Sequence, residues 1–280
     1  MNSYKNIILQ ALQEDIGSGD YSSMASIPEG TTGKAKLLVK QVGIIAGVNV
    51  ALEVLNLVDP TINTTVFISD GAAIKPGDIV FTASGSVHSL LKAERTLLNF
   101  IQRMSGIATM THQYTELLKG TRTQILDTRK TTPGLRLLEK EAVRIGGGVN
   151  HRIGLYDMIM LKDNHIDYAG GITAAVTKTK AYLKAHGLNL KIEVETRNLE
   201  EVKEALNCNI DRIMLDNYTP EQIREALQII NGRCETEASG GITLQTVRRY
   251  AETGVDFISV GEITHHIQSL DLSFKAVKDE

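Results

Sequence analysis

The chain reads as an α/β protein: a small α+β domain followed by a parallel sheet of the (β/α)-barrel type. Two observations predict this. Short strand-like runs and turns fill the first hundred residues, and beyond them six short apolar runs alternate with helix-like segments. Strands alternating with helices imply right-handed crossovers and hence a parallel sheet. The last four runs recur at roughly 20-residue intervals, which is tight for an open doubly wound sheet and comfortable for a barrel.

The elements follow in order. Ile7, Ile8, Leu12 and Ile16 place apolar residues on one face of an N-terminal helix, which is expected rather than a secretory signal because the apolar run is short and Glu14 and Asp15 follow it. Strand-like runs follow at 36–40, 42–46, 64–68 and 79–82, with a helical run at 48–57 and a turn at Lys75-Pro-Gly-Asp78. Between Ser89 and about Lys119 the spacing is helical (Leu90, Leu91, Leu97, Leu98, Ile101), with an interruption expected at Ser105-Gly106. The six barrel-type runs are 124–127, 158–161, 190–194, 212–215, 234–238 and 256–260, separated by helices such as 199–206 and 220–230.

Composition narrows the class. Of 280 residues 42% are hydrophobic and 22% charged, as in a globular protein. The net charge of −3 predicts no nucleic-acid partner, so any anion binding must come from local clustering. No stretch nears the roughly 20 apolar residues needed to cross a bilayer, so no membrane partner is expected. The two cysteines, Cys208 and Cys234, lie far apart, which suits a soluble protein of the reducing cytoplasm.

Chemistry gathers at the ends of the six runs. In order these ends are Thr128-Arg129-Lys130, Lys162-Asp163-Asn164-His165, Glu195-Thr196, Asp216-Asn217, Ser239-Gly240-Gly241 and Gly261-Glu262. In a barrel the C-terminal strand ends converge on one mouth, whereas along an open sheet they would spread. The first two ends and the segment between them are cationic, with Arg129, Lys130, Arg152 and Lys162 at strand or loop ends. Guanidinium forks bind carboxylate and phosphate, so a polyanionic substrate is expected. Arg136, Lys140 and Arg144, spaced by four and accompanied by Glu139 and Glu141, read instead as a solvated helix face. Glu195 and Asp216 can serve as acid and base, hold Mg²⁺ or bind ribose hydroxyls, and Glu193 shares the face of Glu195. The glycine-rich last two ends precede helices and offer backbone N–H groups to a phosphate. Gly146-Gly-Gly148 lacks the setting of a dinucleotide fingerprint. His265-His266 lacks partners at metal spacing, and no Ser or Cys sits in a nucleophile elbow.

Asp127 to Arg136, Gly146 to Leu155 and Leu161 to Ile166 closely resemble the quinolinate phosphoribosyltransferase family, as do Glu14 to Asp20, Glu94 to Asn99 and Ser105 to Thr109. The resemblance runs from about residue 7 to about 267. It implies an N-terminal α/β sandwich domain (1–107), an incomplete α/β barrel of six or seven strands (108–266), and a C-terminal segment (267–280) packing back on the N-terminal domain. It also implies transfer of phosphoribosyl from phosphoribosyl pyrophosphate to quinolinate with decarboxylation. Arg129, Lys130, His151, Arg152 and Lys162 would bind the quinolinate carboxylates and nearby pyrophosphate, with Thr128 beside them. Arg95 would be lent to a neighbouring subunit, making a homodimer. Catalysis would fall to Lys130, Lys162, Glu195 and Asp216, the last two near ribose and Mg²⁺. Ser239, Gly240, Gly241, Val260, Gly261 and Glu262 would form the 5′-phosphate loops, and no organic cofactor is implied. Glu141 stands where the family more often has an aromatic residue. The rivals are a paralogue of the molybdenum-operon pyrophosphorylase type, against which Lys162-Asp-Asn-His165 speaks, nicotinate phosphoribosyltransferase, against which the doubled cationic cluster speaks, and a non-catalytic sensor, against which Glu195 and Asp216 speak.

Overall fold

The computed structural model describes residues 4–277. The chain divides into two compact units: Met1–His112 with Thr131–Gly147 and Ile263–Glu280, and Gln113–Lys130 with Gly148–Glu262. No helix among the described residues is long and apolar enough to cross a membrane.

In the first unit, helix α1 (Lys5–Ile16) buries Ile8 and Leu12, two of the residues its spacing selects. Asp20 caps α2 (Tyr21–Ser26) by accepting the Ser23 N–H at 3.1 Å. Then come β1 (Thr32–Val39), β2 (Gly43–Ile44), α3 (Val48–Val58), β3 (Asn63–Val66), β4 (Ala73–Ile74) and β5 (Ile79–Ser86). β1 alternates, burying Ala35, Leu37 and Val39. It pairs antiparallel with β5 and with β12 (Leu272–Val277), while β3 pairs with the other edge of β5. Leu37 stands between Phe81 and Phe274, whose rings lie 6.1 Å apart. The strand β12 thus joins the C-terminal segment to β1, and the last three residues of 267–280 lie outside the described residues.

Helix α4 (Val87–Leu117) runs unbroken for 31 residues, so the interruption expected at Ser105-Gly106 does not occur. Those two residues serve packing instead. The Ser105 hydroxyl accepts from the Ala46 N–H at 3.0 Å and donates to the Ala46 carbonyl at 3.2 Å, and Thr109 accepts from the Ile44 N–H at 2.9 Å. Side-chain hydroxyls thereby satisfy a backbone segment that has few strand partners. A Cβ on Gly106 would lie 2.2 Å from the Gln268 carbonyl oxygen, so only glycine lets that loop approach. Helix α5 (Arg136–Ile145) corrects a second expectation. Glu139 and Lys140 are buried rather than solvated, and Arg103 meets Glu139 at 2.7 Å while Glu139 also accepts the Thr132 N–H. The Arg144–Glu141 pair on that helix is an exposed pair of the kind the spacing suggests.

In the second unit all six predicted strands form: β6 (Gln124–Leu126), β7 (Ile159–Leu161), β8 (Ile192–Thr196), β9 (Arg212–Asp216), β10 (Glu235–Ser239) and β11 (Phe257–Ser259). The connecting helices are α6 (Asp163–Ala169), α7 (Ile172–Ala185), α8 (Leu199–Asn207), α9 (Pro220–Ile230) and α10 (Val247–Ala251), with α11 (Glu262–His265) following the last strand. Among the described residues they make one six-stranded parallel sheet ordered β6-β11-β10-β9-β8-β7. That is the cyclic order of a barrel with one link missing, between β6 and β7. The sheet therefore does not close, as the incomplete barrel requires. Residues of β8, β9 and β10 are buried on both faces, where a parallel strand is normally apolar. Yet Glu193, Arg212 and Glu237 lie there.

Candidate active site

Register explains which side chains meet. Glu193 pairs with Arg212 and Arg212 with Glu235, while Met214 pairs with both Glu195 and Glu237. Because alternate residues share a face, Glu193 and Glu195, Arg212 and Asp216, and Glu235, Glu237 and Ser239 project from one side of three adjacent strands. The charged residues nearer the strand starts form a buried layer, and those at the ends form the rim.

The buried layer is built on His151. Its Nε2 lies 3.0 Å from Glu193 and 3.2 Å from Glu237, and all three side chains are at most 5% exposed. Arg212 donates to Glu237 at 3.2 Å and to Glu235 at 3.0 Å, and its guanidinium lies 4.3 Å from the centre of the Phe257 ring. Burial opposes charge on His151, but hydrogen bonds to Glu193 and Glu237 outweigh it and push its pKa up to about 9. Burial, then the charge of Glu237, pushes Glu193 up to about 7. Burial acts on Glu237 too, yet His151, Ser259 and Arg212 hold it below the ordinary carboxylate value. One contact acts against the imidazolium: the Arg152 N–H donates to His151 Nδ1 at 2.6 Å, and a nitrogen that accepts carries no hydrogen. A ring proton on Nε2 lies between the two carboxylates. His151, Glu193 and Glu237 are also the residues whose metal-ligating atoms converge, within 4.8 Å of one another. Arg212 already supplies a cation there.

The rim carries most of the residues expected from the sequence. Thr128 accepts the Lys130 N–H at 3.0 Å, which turns the chain after β6 and leaves Arg129 and Lys130 exposed. Arg152 is 9% exposed and donates to the Met158 carbonyl at 3.2 Å. Burial and the nearby charge of Arg129 hold its pKa below the usual arginine value. Lys162 meets Glu195 at 3.2 Å, so the second and third strand ends are joined. His165 Nδ1 accepts the Lys162 N–H and starts α6. Asp216 accepts from Asn217 at 2.7 Å, and the Asn217 N–H donates to the Ser239 carbonyl at 2.8 Å. Gly240, at φ +100°, leaves space that a Cβ could not share with Asn217. Gly241 is exposed, Val260 is buried and bonded to the Leu126 carbonyl, and Glu262 accepts from the buried Tyr114 hydroxyl at 2.6 Å. Arg95 is an exposed residue of α4 in the first unit, and Gly261 follows β11.

The sequence pattern marks Glu193 without giving it a role, and it does not single out Arg212, Glu237 or Tyr114. The available signal was charge inside three runs otherwise read as buried strands.

Comparison with known proteins agrees with the geometry. Residues 20–105 match the N-terminal domain family of quinolinate phosphoribosyl transferase, and residues 107–275 match its C-terminal domain family. A chloroplastic nicotinate-nucleotide pyrophosphorylase (carboxylating) of Arabidopsis thaliana is 46% identical over 287 residues, covering 97% of this chain and 82% of its own. A mitochondrial quinolinate phosphoribosyltransferase (decarboxylating) of Nicotiana tabacum is 43% identical, covering 97% of this chain and 81% of its own. NadC from Streptococcus pyogenes superposes with a TM-score of 0.94 at 41% identity, covering 98% of this chain and 97% of that one.

Proposed function

The chain belongs to the quinolinate phosphoribosyltransferase family, and from that premise we propose that it joins quinolinate to phosphoribosyl pyrophosphate. The products are nicotinate mononucleotide, pyrophosphate and CO₂, a step of NAD biosynthesis. The observation that carries this reading is the gathering of cations at the ends of β6 and β7, where Arg129, Lys130 and Lys162 stand and the positive charge of Arg129 opposes that of Arg152. Such a gathering is stabilised by a dianion among its members, and quinolinate carries two adjacent carboxylates.

The chemistry follows from this arrangement. The pyridine nitrogen forms a bond to C1 of the sugar while the bond from C1 to pyrophosphate breaks. The sugar passes through an oxocarbenium-like state, which Glu195 and Asp216 stabilise electrostatically. Lys162, paired with Glu195 at 3.2 Å, orients that carboxylate and, with Lys130 and Arg129, offers charge to the acceptor and the leaving group. The new bond makes the ring nitrogen cationic. The adjacent carboxylate then leaves as CO₂, its electron pair stays on the ring carbon beside that cation, and a proton takes its place. The protein needs no nucleophile; it orients the diacid and excludes water.

Glu195 and Asp216 offer carboxylate oxygens at adjoining strand ends, a donor set that suits Mg²⁺. They are the residues that would hold it, and the ion would neutralise charge on the departing pyrophosphate. Thr128 and His151 support the acceptor side, while Ser239, Gly240, Gly241, Val260, Gly261 and Glu262 receive the 5′-phosphate. We assign a homodimer in which Arg95 serves the neighbouring site, and a cytoplasmic location in keeping with the free thiols Cys208 and Cys234. The test is incubation with quinolinate, phosphoribosyl pyrophosphate and Mg²⁺, following CO₂ and nicotinate mononucleotide. Product from another pyridine acid, with none from quinolinate, would overturn the substrate assignment.

A further inference from the structure

The missing link between β6 and β7 is bridged by a short segment, Val149–Arg152. The Val149 N–H donates to the Ile125 carbonyl at 2.8 Å and its own carbonyl accepts from Asp127 at 3.2 Å, so it extends the free edge of β6. The His151 N–H donates to Asp127 Oδ1 at 2.8 Å. On the far side Arg152 donates to the Met158 carbonyl, the residue before β7. Arg152, the residue assigned to the diacid, is therefore also the strut across the seam.

We propose that Glu193, Glu237 and Arg212 are positioning residues, which fix the His151 ring and through it the turn that presents Arg152 to the acidic substrate. This rests on the function proposed above. Three observations support it. First, the three come from adjacent strands β8, β9 and β10, and none is more than 8% exposed, so they act from beneath. Second, Nε2 is held by two acceptors and Nδ1 by the Arg152 N–H, so the ring cannot turn without breaking the bond that ties it to Arg152. Third, the arrangement is costly: among the described residues the buried Glu193 Oε1 has no hydrogen-bond partner. A layer needed only for stability would be met at lower cost by apolar residues of similar volume. Arg152 spends one N–H on Met158, and its remaining donors are free to meet a carboxylate only while the turn holds its place.

The experiment uses the full chain and the variants Glu193→Gln and Glu237→Gln, which keep shape and remove charge. KM is measured separately for quinolinate and phosphoribosyl pyrophosphate, with kcat and Tm alongside. The quinolinate KM should rise by about ten- to a hundredfold, the range that misplacing a binding group produces, while the donor KM stays nearly unchanged. In a His151→Ala background, Glu237→Gln should add nothing further to the quinolinate KM, because the pair acts through one ring. An unchanged quinolinate KM overturns the proposal, and so does an equal rise in both KM values or a full additive effect in the double variant. A wild-type Tm raised by Zn²⁺, with no rise in Glu237→Gln, would make the cluster a metal site and overturn it as well. Should Glu237→Gln fail to fold, Glu237→Asp and Glu193→Gln supply the same comparison. The wild type separates the two readings: no turnover of quinolinate there defeats the function, whereas turnover with indifferent variants defeats only the positioning.

Discussion

Replacing Arg152 by lysine keeps the charge and removes the fork, which isolates geometry from electrostatics. The guanidinium is nearly buried and already donates to the Met158 carbonyl at 3.2 Å. An ammonium is a compact point charge that can satisfy that carbonyl or a substrate carboxylate, but it does not span both. If it stays with Met158, the substrate loses one charge-assisted hydrogen bond, worth about 1.5–3 kcal/mol. At 1.4 kcal/mol per tenfold this corresponds to a rise of roughly 10- to 100-fold in the quinolinate KM. If it turns to the substrate instead, the Met158 carbonyl is left buried without its donor, which costs about 1–3 kcal/mol of stability and lowers Tm. Steady-state rates with quinolinate varied at saturating donor, and the reverse, distinguish the two, together with a melting curve. Unchanged quinolinate KM, kcat and Tm would refute both the role of Arg152 and the strut reading of the seam.

Gly106→Ala should lower Tm sharply, because its Cβ would sit 2.2 Å from the Gln268 carbonyl oxygen and 3.2 Å from Ser269 Cα, backbone that cannot rotate aside. Gly240→Ala forces a side chain at φ +100° to within 2.1 Å of Asn217 Oδ1. The strain, of order 1–3 kcal/mol, falls on the turn after β10, so the phosphoribosyl pyrophosphate KM should rise more than the quinolinate KM. Burial, and then Glu262, raise the Tyr114 phenol well above its usual value, so the unfolded chain loses this proton first. Stability from this group is present below about pH 10 and is lost as pH rises further. Tyr114→Phe should therefore flatten the alkaline fall of Tm between pH 9 and 11, and parallel curves for the two proteins would show that the group does not contribute. Treatment with a chelator should abolish product formation and leave far-UV circular dichroism unchanged, with Mg²⁺ restoring activity; full activity after chelation would remove the metal from the reaction.

What could be read from the sequence divides along a physical line. The six barrel strands are short apolar runs bounded by polar ends, and both the runs and their ends are local signals, so all six appear where expected. The break expected at Ser105-Gly106 failed because the same two residue types that interrupt a helix also let one be approached closely, and only the position of Ala46 and Gln268 decides which applies. The helix at Arg136–Ile145 misled for a related reason. Charges four residues apart look alike whether they face water or a buried partner, and the partner of Glu139 is Arg103, 36 residues away in the chain.

The buried layer lies between these cases, and its logic could have been followed further. A charge in the middle of a doubly covered parallel strand must be met by an opposite charge or a hydrogen-bond partner, since burying it alone is prohibitive. Neighbouring strands of nearly equal length in a parallel sheet bring residues at equal distances from their ends into one row. Glu193 lies three residues before the end of β8 at Thr196, and Arg212 lies four before the end of β9 at Asp216; Glu235 lies four before the end of β10 at Ser239. Arg212 and Glu235 fall in one row by that count and Glu193 lies one residue out of it, yet the observed register pairs Glu193 with Arg212 and Arg212 with Glu235, so negative, positive and negative stand side by side. The strand ends reveal which ligand chemistry the mouth can accept. The alternation of sign within the strands reveals that something above them must be held rigidly, and in this chain that is the imidazole of His151.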